Sequence, residues 1–172
     1  VIPPEELAKL ELSEYARPRV EQTQQLAPYG LPSNLDAWDG YPAARERLFA
    51  MLSAHATNPI SLAGDTHNGW AFNLTNQRGE AVGVEWGTPG VSSPGLENYV
   101  PLPPEQMQAL LKGASPELVA CDTSQRGWTQ VTLTPEAATA QWQFVSSVTE
   151  PTYTHRAGPE LTVGAGHRQL RV

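Results

Sequence analysis

The 172 residues carry 11 Lys+Arg against 18 Asp+Glu, a formal charge of −7, and charged residues make up only 17% against about 25% in an average domain. Length fits one domain rather than a repeat array or a disulfide-stapled miniprotein. The sparse basic residues offer no surface for nucleic acid, the single Cys121 excludes an intrachain disulfide, and no apolar run approaches the roughly 18 residues of a membrane span.

With 14 Gly and 16 Pro the chain should be loop-rich with short strands. It opens at Val1 rather than Met, which is expected of a processed or truncated chain. Val1-Ile2-Pro3-Pro4-Glu5-Glu6 reads as a helix start, with prolines and acids in the first turn and Pro18 as its end or kink. Glu21 to Asn34 has no sustained period and reads as a connection, so residues 1–33 are a helical and extended lead-in. A second helix begins at Pro42 with Leu48, Met51, Leu52 and His55 on one face, and Asn58-Pro59 stops it. Pro59-Ile60-Ser61-Leu62-Ala63-Gly64 suits a buried central strand ending in a glycine turn.

Ala71–Leu74 and Val82–Trp86 flank Asn76-Gln77-Arg78-Gly79 as a hairpin. Gly87 to Gly95 is an ordered loop, and Pro103-Pro104 opens a short helix with Met107, Leu110 and Leu111 on one face and Gly113 past its end. Leu118–Cys121 is a short strand. Trp128–Leu133 and Ala138–Val148 alternate about Thr134-Pro135-Glu136 as a second hairpin. Residues 34–150 thus form an α/β body with antiparallel hairpins in its C-terminal portion, and 151–172, poor in apolar anchors, a surface tail.

The sharpest chemical signal is Gly64-Asp65-Thr66-His67-Asn68 at the end of the apolar strand. If the backbone stays extended, Asp65 and His67 at i and i+2 leave on one side, and a carboxylate and an imidazole reach one metal ion. The same residues also suit an Asx-turn aspartate and a hydrogen-bonded turn histidine, and the spacing leaves both readings open.

The run Asn34-Leu35-Asp36-Ala37-Trp38-Asp39-Gly40-Tyr41-Pro42, followed by Leu62-Ala63-Gly64-Asp65-Thr66-His67-Asn68-Gly69-Trp70, resembles the C-terminal half of the PhoD-type alkaline phosphatases. Val84-Glu85-Trp86-Gly87-Thr88-Pro89-Gly90-Val91-Ser92-Ser93-Pro94-Gly95 and Arg126-Gly127-Trp128 continue the resemblance in the same order, from about Asn34 to Val148.

The resemblance implies part of a calcineurin-like metallophosphoesterase fold, a layered α/β/β/α sandwich. It also implies hydrolysis of phosphate mono- or diesters by a metal-activated oxygen nucleophile. Such enzymes are mostly exported from bacteria, so a periplasmic or secreted location follows, and they use iron with calcium or another divalent metal. By position Asp65 and His67 match the late metal-binding motif and take the catalytic and metal roles. Asn68, Trp38, Asp39 and Arg126 are the substrate-contact candidates, with turn formation the plainer role for Trp38 and Asp39 and a solvated turn for Arg126.

Two ligands cannot hold two or three metals. The early aspartates of the family do not precede Val1, so the chain is expected to be inactive alone and to need an N-terminal half as its partner, with a phosphate ester as substrate. The competing class is a non-catalytic β-rich binding or structural module. His55, Cys121, Ser92, Ser93 and the tryptophans of the hairpins read as structural.

Overall fold

A computed structural model describes Glu5 and residues 8–32 and 34–171. The Val1–Pro4 start of the expected first helix lies outside the described residues. Helix α1, Ala16–Leu26, runs through part of the stretch expected to be a connection, and Pro18 does not end it. The proline sits in the first turn, where its missing N–H has no intrahelical partner to lose. Ser13 starts the helix by accepting the Ala16 N–H at 3.1 Å.

Helix α2, Pro42–His55, begins at its proline as expected, but its inward stripe is Arg45, Leu48, Phe49 and Leu52. Met51 is 64% exposed and Phe49 only 5%. The stripe keeps the helical period and is rotated, with the aliphatic stem of Arg45 doing apolar duty as its guanidinium lies 4.4 Å over the Phe49 ring. Helix α3, Pro104–Ala114, buries Met107 and includes Gly113 in its last turn.

Among the described residues seven strands form two sheets. β1 (Ile60–Ala63), β2 (Gly69–Thr75), β3 (Ala81–Gly87) and β4 (Leu118–Asp122) make a sheet of order β1-β3-β2-β4, and β5 (Gly127–Leu133), β6 (Ala137–Val145) and β7 (His155–Gly164) make the antiparallel sheet β5-β6-β7. β2 and β3 form the expected hairpin, while β1 runs parallel to β3. β1 is therefore an edge strand rather than a central one, and Leu62 is 64% exposed. Three apolar residues in a run of four fix a strand but not the number of its neighbours.

The C-terminal segment is the larger correction. Residues 155–164 pair along β6 as a 10-residue strand, and Leu161 and Val163 are 0% and 2% exposed. A Gly158-Pro159 irregularity makes the sequence read as loop. Gly158 is required there, because a β-carbon would lie 2.9 Å from the Phe144 ring, and the register shifts beside it between Gln141 and Gln143.

The two sheets pack face to face. Ala71, Val84, Trp86 and Ala120 from the first meet Ala138, Ala140, Trp142, Phe144, Leu161 and Val163 from the second. Trp142 Nε1 donates to the Gly87 carbonyl at 3.1 Å across the interface. The strand expected to run to Val148 ends at Val145, so Ser146 and Val148 fall beyond β6. The other face of the first sheet looks onto α2 across a cleft lined by Ser61, Ala63, Phe72 and Glu85. The C-terminal segment then staples α2 down: Arg168 donates to the carbonyls of Ser53 and Ala56 at 3.1 and 2.8 Å. Asn58 bridges to Gly164 O and Gly166 N. These bonds occupy carbonyls at the end of α2 that would otherwise lack partners.

Candidate active site

The turn after β1 is not extended. Asp65 and His67 both have left-handed backbones, with φ of 69° and 61°, so the alternation that would send both side chains to one side does not apply. The Thr66 N–H reaches back to the Gly64 carbonyl at 2.8 Å and closes a three-residue turn around Asp65. Asp and His enter this region more readily than most residues, yet each such residue costs about 1–3 kcal/mol and persists only where its surroundings hold it.

Those surroundings are specific. Asn68, 3% exposed, donates from Nδ2 to the Thr66 carbonyl at 2.6 Å and accepts the Leu96 N–H on Oδ1 at 3.1 Å. Trp70 Nε1 donates to Thr66 Oγ1 at 2.7 Å. The loop Thr88–Gly95 wraps the histidine: a β-carbon on Gly90 would lie 3.1 Å from His67 Cβ. His67 Nδ1 lies 3.0 Å from the Pro94 carbonyl. A carbonyl only accepts, so Nδ1 carries the proton and, in the neutral ring, Nε2 keeps its lone pair.

Arg126, 8% exposed, sits beneath this turn. Its Nη1 donates to the His67 carbonyl at 2.9 Å and to its neighbour's Gln125 carbonyl at 2.8 Å, while Nη2 pairs with Glu97 Oε1. Gly95 makes room for this buried polar knot, since a β-carbon there would lie 2.4 Å from Asn68 Oδ1.

Of the six candidate residues, Asp65 and His67 share one turn, and Asn68 and Arg126 stand directly behind it with their polar groups turned inward. The polar groups of Asn68 are engaged by backbone, and the guanidinium of Arg126 is committed to two carbonyls and a carboxylate. Both are therefore committed to the turn itself. Trp38 and Asp39 lie elsewhere, on the cleft between α2 and the first sheet, where Asp39 approaches Arg45 at 4.0 Å. Two residues that the sequence did not single out, Glu97 and Pro94, complete the support. Their partners are 29 and 27 positions away, beyond any local pattern.

The donor set can be tested against a metal. Asp65 is exposed, with no hydrogen bond or ion pair to the described residues, and His67 presents a bare Nε2. A carboxylate with an imidazole nitrogen suits iron or zinc, whereas calcium draws on oxygen ligands and would find only the carboxylate here. The Pro94 carbonyl on Nδ1 is the type of outer contact that orients a metal-ligating histidine. Among the described residues no group of three or more His, Cys, Asp and Glu side chains could hold a metal ion. Two donors in one turn are too few for a coordination sphere of their own.

The comparisons with known proteins agree on one family. Alkaline phosphatase D of Bacillus subtilis (strain 168) is 30% identical over 123 residues, covering 69% of this chain and 20% of that protein. A solved chain described as the structure of PhoD superposes with a TM-score of 0.60 at 24% identity, over 79% of this chain and 26% of that one, and supports the mixed α/β fold with antiparallel sheets. The chain thus spans about a fifth of the curated relative and about a quarter of the solved one. The family model described as PhoD-like phosphatase matches residues 8–142, and the chain belongs to the PhoD-like phosphatase family.

Proposed function

We propose that this chain is the part of a metal-dependent phosphoesterase that contributes Asp65 and His67 to the metal site. The observation that carries the reading is the Pro94 carbonyl at 3.0 Å from His67 Nδ1, which leaves Nε2 as the free donor beside an uncommitted carboxylate. Iron together with calcium, or another divalent metal, is the proposed cofactor set. Bound metals supply Lewis-acid activation of an oxygen nucleophile and neutralise charge on the phosphate ester.

The chain's own part is positional. The turn carries a carboxylate and an imidazole two residues apart, and the loop Thr88–Gly95 locks the ring tautomer before any metal arrives. The remaining ligands come from an N-terminal half of the same enzyme, which is the proposed partner, and the intact protein works in the periplasm or outside the cell. Alone, the chain is inactive, because two donors do not complete a catalytic metal site.

The test uses the longer phosphatase containing this chain, with Asp65→Ala and His67→Ala made separately. Each should lower metal content per polypeptide and phosphoester hydrolysis together while leaving the fold intact. Full metal content and full activity in both variants would sink the assignment and favour a non-catalytic module.

A further inference from the structure

Arg126, 8% exposed where it borders the cavity lined by Pro94, Glu97 and Arg156, has both terminal nitrogens of its guanidinium committed to protein partners. It lies at the junction where β5 begins, fixed from behind by the Gly127 N–H to Gly90 O at 3.0 Å and the Val145 N–H to Arg126 O at 2.9 Å. Its guanidinium fork spans the gap between the two sheets and ends on the carbonyl of His67. The same fork is clamped by Glu97, which follows directly on the loop whose Pro94 carbonyl sets the imidazole tautomer. One ion pair therefore ties together the backbone of His67, the loop that reads its ring, and the rigid second sheet.

We propose that Arg126 and Glu97 are a positioning pair, holding the left-handed backbone of His67 so that Nδ1 meets the Pro94 carbonyl and Nε2 alone is presented outward. The purpose of that arrangement rests on the phosphoesterase reading, but its geometry does not. A left-handed histidine is uphill by itself, and a charged donor at its carbonyl is the strongest restraint that a single side chain can apply there. A planar guanidinium serves the two carbonyls from Nη1 and the carboxylate from Nη2, two separate points that a single ammonium nitrogen cannot occupy together.

The test is made in the full chain with 15N-labelled histidine. Long-range 1H–15N spectra report the ring tautomer of His67, and its amide-to-Hα coupling reports φ. In the wild type the ring should be a single Nδ1–H tautomer on a left-handed backbone. The pair of substitutions Arg126→Met and Glu97→Met removes both charges without stranding either one in the interior. In that variant we expect the two ring nitrogens to lose their distinct shifts and the coupling to drift toward a mixture, with cooperative unfolding retained at a lower urea midpoint, because the His67 and Gln125 carbonyls and the Gly95 N–H lose their partners. A folded double variant whose His67 keeps both signatures overturns the proposal.

If the double variant does not fold, Arg126→Lys takes its place, since one ammonium nitrogen cannot stand at both the Nη1 and Nη2 positions and so cannot join Glu97 to the His67 carbonyl as the fork does. There too, loss of the signatures supports the pair and their retention refutes it. The two readings can fail separately. A His67 held as described that adds nothing to metal binding in the longer phosphatase refutes the phosphoesterase reading alone, and a His67 indifferent to Arg126 refutes only the positioning pair.

Discussion

Replacing Gly95 by alanine separates space from backbone freedom. Gly95 has φ −100° and ψ −158°, an extended conformation open to any residue, so alanine should gain about 0.4–1 kcal/mol by restricting the unfolded chain. The added methyl, however, would lie 2.4 Å from Asn68 Oδ1, 2.8 Å from Glu97 Oε2 and 3.0 Å from Arg126 Nη2. Overpacking costs about 1–3 kcal/mol, and pushing Asn68 aside weakens its bonds to Thr66 O and Leu96 N, at about 0.5–1.5 kcal/mol each. The balance is a loss of roughly 2–4 kcal/mol. Gly113→Ala is the control, because nothing lies within 4 Å of the methyl it would add in α3. It should stabilise by up to about 0.5–1 kcal/mol. Urea unfolding of the two variants at unchanged m-value should therefore shift in opposite directions. A Gly95→Ala chain as stable as wild type would refute the tight polar knot behind His67.

Arg168→Ala should cost about 1.5–3 kcal/mol by releasing carbonyls at the end of α2. It should also speed hydrogen exchange at the Ala56 amide, which donates to Leu52 O; unchanged exchange there would contradict the staple. Leu161→Ala should cost about 2–5 kcal/mol, and a chain ended after Glu150 should lose cooperative unfolding, whereas a folded truncated chain would show β7 to be dispensable. Burial pushes the Cys121 thiol above its ordinary range. The folded state then favours the neutral thiol, so its contribution is fully present below the unfolded value near pH 8.5 and fades as pH rises past it, by at most about 1.4 kcal/mol per pH unit. Urea midpoints of wild type and Cys121→Ala should diverge above that pH, and parallel curves would refute the shift.

The parts legible in the sequence are those governed by neighbours. Asn76-Gln77-Arg78-Gly79 announces the β2–β3 turn, where Gly79 takes a φ of 76°, and Pro42 announces the start of α2. The strand ending at Gly64 and the Asp65–His67 turn beyond it are also legible, but the sign of φ at Asp65 and His67 is not. Around His67 the turn is held by groups that arrive from residues 94 to 97 and 126. β7 was hidden for a related reason: two buried residues, Leu161 and Val163, are enough when a finished β6 offers a full ladder of partners. Arg126 looked like a surface arginine because its only strong clue, Glu97, is far away in the chain.

The exposed border at β1 affects how the chain behaves as a material. Ile60-Ser61-Leu62-Ala63 offers no charge, no proline and no bulge to repel a passing strand, which are the usual deterrents to intermolecular zippering. Made by itself at high concentration, the polypeptide is limited by its tendency to add like to like along that rim before it is limited by its melting point. A single lysine written in at Leu62, already largely in water, would raise its working concentration without touching the interior.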